Sequence, residues 1–147
     1  MAEEAASLLK ALQQRSKEAS DAYKQPIYVG IYQVGPRSRA LSGKRIEELA
    51  HFPDMTPEEY IAGQMVYPVD LLEKNIPGFA LCEFTIDKEG VILRPHILRS
   101  THPEFAEEAL RIVKGMPKWS PALVGGKPAD SNYTLYVPFR PQLYRNK

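Results

Sequence analysis

"FALCEFTIDKEGVILRPHILRS", Phe79 to Ser100, is the stretch that decides the fold. Ala80, Cys82, Phe84 and Ile86 alternate with Leu81, Glu83 and Thr85, the pattern of a strand with one buried face. Asp87-Lys88-Glu89-Gly90 suits a type I turn in which Gly90 takes the left-handed position and starts a bulge in the return strand. In that return strand Ile92 is out of phase with Ile97, and Pro95 lies between them. A proline cannot donate to a ladder, so this strand is expected at a sheet edge or at a bulge.

Downstream, "STHPEFAEEALRIVKGMP" reads as a helix. Thr101 and Glu104 form a T-x-x-E capping box, Pro103 sits in the first turn, and Phe105, Ala109, Ile112, Val113 and Met116 recur at helical spacing. Glu107 and Arg111 are placed for an i,i+4 pair on the wet face, and Gly115 with Pro117 stops the helix. "SNYTLYVPFRP" then alternates Tyr133, Leu135, Val137 and Phe139 against Thr134, Tyr136 and Arg140, which predicts a third strand. A helix returning the chain to the far end makes the third strand antiparallel to the first. The expected architecture is α+β, with a small antiparallel three-stranded sheet in the order second, first, third, closed by a right-handed crossover. One edge carries Pro95; the other is the third strand, read as open from Ser131 to Val137.

Upstream, two short helices are expected. One runs over 56–64, with Thr56 as N-cap and Pro57 at its first position, and the other over 67–78, ended by Pro77 and Gly78. Residues 4–24 show a thin, alanine-rich helical stripe, residues 26–35 look strand-like, and a polar connector follows. This divides the chain into an N-terminal extension, 1–50, and a domain, 51–147.

The 147 residues carry 19 basic and 18 acidic side chains, with 44% apolar and 25% charged residues. So even a balance gives no basic face for nucleic acid. No apolar run approaches the roughly 20 residues needed to span a bilayer. His51, His96 and His102 lack metal-ligand spacing, so neither a metal nor a cofactor is expected. Cys82, the single cysteine, falls on the buried side of its strand and reads as an inert core thiol. The carboxylate pairs Glu47/Glu48, Glu58/Glu59 and Glu107/Glu108 read as solvated helix faces. No acid, base or nucleophile set converges, so no catalytic residue is assigned and the chain reads as a non-enzyme.

Between the long helix and the last strand lies "KGMPKWSPALVGGKP", Lys114 to Pro128. Its Gly-Gly-Lys is not a phosphate loop, because Pro128 follows the lysine and a strand, not a helix, comes next. Trp119 is expected to cover one end of the core, and Gly125-Gly126 to turn the chain into the last strand.

The ordered set "YP...I-x-G...F-x-I-D-x-x-G...EEAL...MPKW-x-P...GGKP...V-x-F", running from Tyr67 to Arg140, resembles the C-terminal domain of TonB. Tyr67, Pro68, Gly78, Gly90, Trp119 and Pro121 are its structural motif residues here. The preceding "HFPDMTPEEYIAGQMVYP" resembles the Bacteroidetes branch of that family. Leu71 stands where the family usually has a small residue. The sequence carries neither a membrane helix nor a proline-rich spacer, both of which accompany the domain in energy transducers.

The resemblance implies a periplasmic, non-enzymatic binding domain that captures an extended segment of an outer-membrane receptor, for energised transport, by strand addition beside the last strand. The implied contact residues are Ser131, Asn132, Tyr133, Thr134, Leu135, Tyr136, Val137 and Arg140. The alternative is a stand-alone assembly subunit with the same fold, docking to partners through the N-terminal helix or to a second copy as a homodimer. The segment at 26–35 decides how far strand addition can go, because pairing it with the last strand would fill the edge.

Overall fold

The computed structural model describes residues 27–30 and 32–145; the helix expected over 4–24 lies outside them. The elements used below are β1 (Ile27–Val29), β2 (Tyr32–Pro36), β3 (Gly78–Ile86), β4 (Ile92–Ser100), β5 (Ala122–Val124), β6 (Lys127–Ala129) and β7 (Ser131–Phe139). The helices are α1 (Pro57–Gln64), α2 (Val69–Glu73), α3 (Pro103–Lys114) and α4 (Pro141–Arg145).

The decisive hairpin forms as its pattern predicts. Gly90 N–H donates to the Asp87 carbonyl at 2.9 Å, and Asp87 N–H to that of Val91 at 3.0 Å. Gly90 has φ 86, and a Cβ there would lie 2.0 Å from the Trp119 carbonyl oxygen. Glycine is thus required both for the turn and for the close approach of Trp119, whose N–H donates to the Gly90 carbonyl at 2.9 Å. The phase break in β4 is absorbed by register shifts between Leu81/Cys82 and Glu83/Thr85, with Arg94 at φ 53 just before Pro95. As an edge strand, β4 tolerates the proline.

Strand β7 pairs antiparallel with β3 along the whole of both strands, from Gly78↔Phe139 to Ile86↔Ser131. The order β4, β3, β7 is the expected one within an α+β fold, but the sheet does not stop there. It is five-stranded, β1-β2-β7-β3-β4. Within the strand-like segment expected at 26–35, β1 and β2 pair antiparallel, and β2 joins β7.

Helix α3 covers the inner face of the sheet with Phe105, Ala109, Ile112 and Val113, all buried. Three expectations about it are corrected. Its N-cap is His102, without a side-chain cap, because the Thr101 hydroxyl instead accepts from the Phe79 N–H at 3.0 Å and closes the end of the sheet. Arg111 pairs with Glu108 (2.6 Å), not Glu107. Glu108 is therefore not a solvated carboxylate. It is 8% exposed, and its burial is balanced by Arg111 and by the Val66 N–H at 2.5 Å. Arg111 also donates to the Gln64 carbonyl at 2.7 Å, so the pair clamps the exit of α1 onto α3. The Glu108 contact holds the Arg111 pKa above its ordinary value.

Helix α1 starts at Thr56, whose hydroxyl accepts from the Glu59 N–H at 3.1 Å, with Pro57 first in the helix. The connector after β2 packs on the same core. Ala40, Ile46, Ala50 and Phe52 all belong to it, and backbone bonds from Glu47 to Leu123 (2.8 Å) and His51 to Ser120 (3.0 Å) tie it to β5. Gly125 and Gly126, at φ 57 and 75, form the tip of a small β5-β6 hairpin; the turn was expected, the separate hairpin was not.

Candidate functional site

The structural motif residues anchor the core that holds β7 in place. Tyr67 is buried, donates from its hydroxyl to the Ile76 carbonyl at 2.5 Å, and meets Phe105 and Phe139 edge-on at 5.6 and 5.7 Å. Burial raises its pKa, opposed by Arg145. Pro68 leads into α2. Gly78 has no room for a side chain, since a Cβ would sit 2.0 Å from the Thr101 hydroxyl and 2.6 Å from the Phe105 ring. Trp119 is buried against Phe52, Phe84 and Tyr133, and half-buried Pro121 leads from Ser120 into β5.

Strand β7 sorts its residues by parity. Ser131, Tyr133, Leu135, Val137 and Phe139 are buried. Phe84 stacks on Tyr133 at 5.6 Å, and Phe105 on Phe139 at 4.1 Å, so these side chains belong to the inner core. Asn132, Thr134 and Tyr136 lie on the outer face, where Thr134 is nonetheless fully buried, and Arg140 is exposed beyond the strand.

The backbone follows the same alternation. Arg37 N–H donates to the Asn132 carbonyl at 3.1 Å, and the register continues through Pro36↔Tyr133 to Gly35↔Thr134. The main-chain groups of Asn132 and Thr134 therefore point to β2. By alternation those of Tyr136 and Pro138 point the same way, while those of Tyr133, Leu135 and Val137 point to β3.

The expectation of an open edge from Ser131 to Val137 is thus corrected on two counts. Every second N–H is turned into the sheet, and Asn132 and Thr134 already face the chain's own strand. What stays open on this side among the described residues is the Tyr136 N–H with the Tyr136 and Pro138 carbonyls; Pro138 itself has no donor.

Strand β2 does not continue alongside β7. At Gly35, φ 99 turns the chain off the edge. It crosses the outer face, and the Tyr32 hydroxyl reaches the Leu98 carbonyl on β4 at 3.5 Å. A Cβ at Gly30 would lie 3.5 Å from the Arg99 guanidinium. Two strand spacings, about 10 Å, separate β7 from β4, and three extended residues from Gly35 to Tyr32 span about 10 Å, so the crossing fits. Beneath it Leu81 is fully buried on the outer face.

A polar cluster holds this crossing. Arg37 donates to Thr134 Oγ1 at 2.8 Å and Glu83 Oε2 at 3.1 Å, and back to the Gln33 and Gly35 carbonyls at 3.0 and 3.3 Å. His96 Nε2 lies 3.4 Å from Glu83 Oε1. Beside it, Thr85 donates to Asn132 Oδ1 at 2.7 Å. Arg37 was not among the residues expected at the site. The polar, turn-rich "GPRSR" reads as connector, and only the fold brings Arg37 to Glu83 on β3.

On the inner face Cys82 is fully buried, and burial pushes its thiol pKa up to about 12. A neutral thiol without access to solvent is no nucleophile. Among the described residues no helix is long and apolar enough to cross a membrane.

Residues 63–141, more than half of the chain, match the family model described as the Gram-negative bacterial TonB protein C-terminal. Comparison with curated proteins gave no match.

Proposed function

From the premise that the chain belongs to the Gram-negative bacterial TonB protein C-terminal family, we propose that it is a periplasmic binding domain. It captures an extended segment of an outer-membrane receptor by adding it as a strand at the outer edge of β7, in the service of energised transport. The family is one of non-catalytic energy-transducing and binding domains.

One observation carries the reading. The outer edge of β7 already holds a strand, residues 35–37 against Asn132–Thr134, and beyond them it has main-chain groups to offer. Backbone bonds would supply affinity and outer-face neighbours such as Thr134, Tyr136 and Arg140 would supply selectivity. The proposed contact surface is therefore the even-numbered half of the expected set. Ser131, Tyr133, Leu135 and Val137 act from beneath as the rigid support.

Titration with extended peptides from the N-termini of outer-membrane receptors, followed by amide shifts, tests this. Shifts centred on Tyr136 and Thr134 are expected; silence at both at millimolar peptide overturns it.

The partly filled edge also favours a second reading, an assembly subunit whose free edge is small. If so, receptor peptides leave the spectrum unchanged while sedimentation shows a stable complex with a second copy or an envelope partner.

A further inference from the structure

The strand that occupies the β7 edge is also a record of what the edge recognises. We propose that residues Tyr32–Arg37 are an exchangeable internal ligand. The external segment that replaces them is an extended strand, antiparallel to β7, that places a basic side chain between Glu83 and Thr134. This inference rests on the strand-addition reading and specifies the chemistry of its partner.

The resident strand is short on the edge and held by one side chain. Its register with β7 covers Gly35 and Pro36, and the Arg37 N–H adds one bond. Arg37 is about a quarter exposed, as is Glu83. Pairs of that kind are weak and exchange readily in water.

Two of its four bonds go back to the carbonyls of Gln33 and Gly35. Part of the guanidinium's bonding capacity is thus spent on its own bend and not on the sheet. A straight incoming strand has no such bend. It would keep the bonds at Asn132 and Thr134 and run on past Tyr136, whose N–H the resident cannot reach because Gly35 has already left the edge.

The requirement for a cation follows from what displacement leaves behind. With Arg37 gone, the Glu83 carboxylate keeps Thr134 Oγ1 at 3.4 Å and His96 at 3.4 Å, but loses its only guanidinium partner among the described residues. A segment with an apolar or acidic residue opposite Asn132 would leave that carboxylate without a full charge partner. A lysine or arginine there restores one. In a pleated pair this is a single register position, so the seat selects both a residue type and an alignment.

The test uses the full chain, as wild type, Arg37→Ala and Glu83→Gln, with two soluble labelled valine/threonine peptides. The peptides differ in one position, arginine in one and glutamate in the other, and binding is read by fluorescence anisotropy. Wild type is expected to prefer the arginine peptide by about tenfold, the scale of one charge-assisted hydrogen bond. Arg37→Ala is expected to bind the arginine peptide about tenfold more tightly than wild type, because the internal competitor is weakened. Glu83→Gln should erase the preference.

Equal affinity of wild type and Arg37→Ala, or a preference that survives Glu83→Gln, overturns the proposal, as does absence of binding by both variants. Should Arg37→Ala lose its near-ultraviolet dichroism, Glu83→Gln decides alone. Receptor peptides that fail while the arginine peptide binds strike the receptor reading only. Receptor peptides that bind without any effect of Arg37 or Glu83 strike this one only.

Discussion

The two faces of β3 are made by one strand and covered in opposite ways. Inward, Ala80, Cys82, Phe84 and Ile86 are at most 1% exposed beneath α3 and the rings of Trp119 and Tyr133. Outward, Leu81 is as completely buried, yet its cover is a hairpin secured by Arg37, Glu83 and Thr134, the first two partly in water. Burial alone therefore does not distinguish a permanent contact from an exchangeable one. What distinguishes them is how the covering element is held: by a continuous apolar face on one side, by a few polar bonds at a solvent boundary on the other.

The largest effect should come from breaking the inner face. Phe84→Ala removes a ring that packs against both Trp119 and Tyr133, and about 3–5 kcal/mol of stability should go with it. Urea denaturation measures this. A loss of about 2 kcal/mol or less would mean that the inner cover is as loose as the outer one.

The inner face should also announce itself through pH. Cys82 is raised to about 12 in the fold, from 9.0. A raised pKa means that the folded state holds the proton more tightly than the unfolded chain. The corresponding stability is complete below the unfolded value and is lost as pH climbs from about 9 to about 12. Wild type should lose more stability over that range than Cys82→Ala; parallel curves would show that the thiol is wetter than its burial implies. At neutral pH a thiol reagent should label Cys82 only after unfolding.

Leu81→Ala sharpens the comparison. It deletes a fully buried side chain, but the hairpin above can settle or leave, so the cost should sit near the low end for such truncations, about 2 kcal/mol. Amide exchange at Arg37 should quicken at the same time. A cost equal to that of Phe84→Ala, with Arg37 unchanged, would make the hairpin as permanent as α3.

The same contrast explains what the sequence made legible. Local signals carry the β3-β4 hairpin, the Gly90 turn and α3, because each depends on periodicity or on turn chemistry within a short window, and the return of the chain through α3 then gives the order β4-β3-β7. The same window could not show which carboxylate Arg111 would choose. Glu107 and Glu108 are equivalent in spacing logic until the Val66 N–H arrives from α1 to hold Glu108. Nor could it show that Thr101 would serve the sheet instead of the helix.

At the candidate site the strand was identifiable and its occupancy was not. The alternation of "NYTLYV" located β7 and sorted inward from outward side chains. Whether residues 26–35 would fill its edge depended on a long-range pairing that leaves no periodic trace, set by the bend at Gly35 and by Arg37 meeting Glu83 across 46 positions.

The smallest effect on stability should be the most informative about the edge. Glu83→Gln keeps the shape of the side chain and removes its charge, so a partly exposed pair should cost only about 0.5–1 kcal/mol, barely moving the urea midpoint. Local opening of the resident strand is governed by that same small free energy, not by global unfolding. Exchange at the amides of Arg37 and Thr134, which face each other's strands, should therefore accelerate several-fold. Exchange at Leu135 and Val137 should hold, because alternation turns those N–H groups toward β3. Adjacent residues of one strand would then report different stabilities, each according to the side it faces. If Leu135 accelerates together with Thr134, the edge and the core open as one unit, and the outer cover is no more exchangeable than the inner.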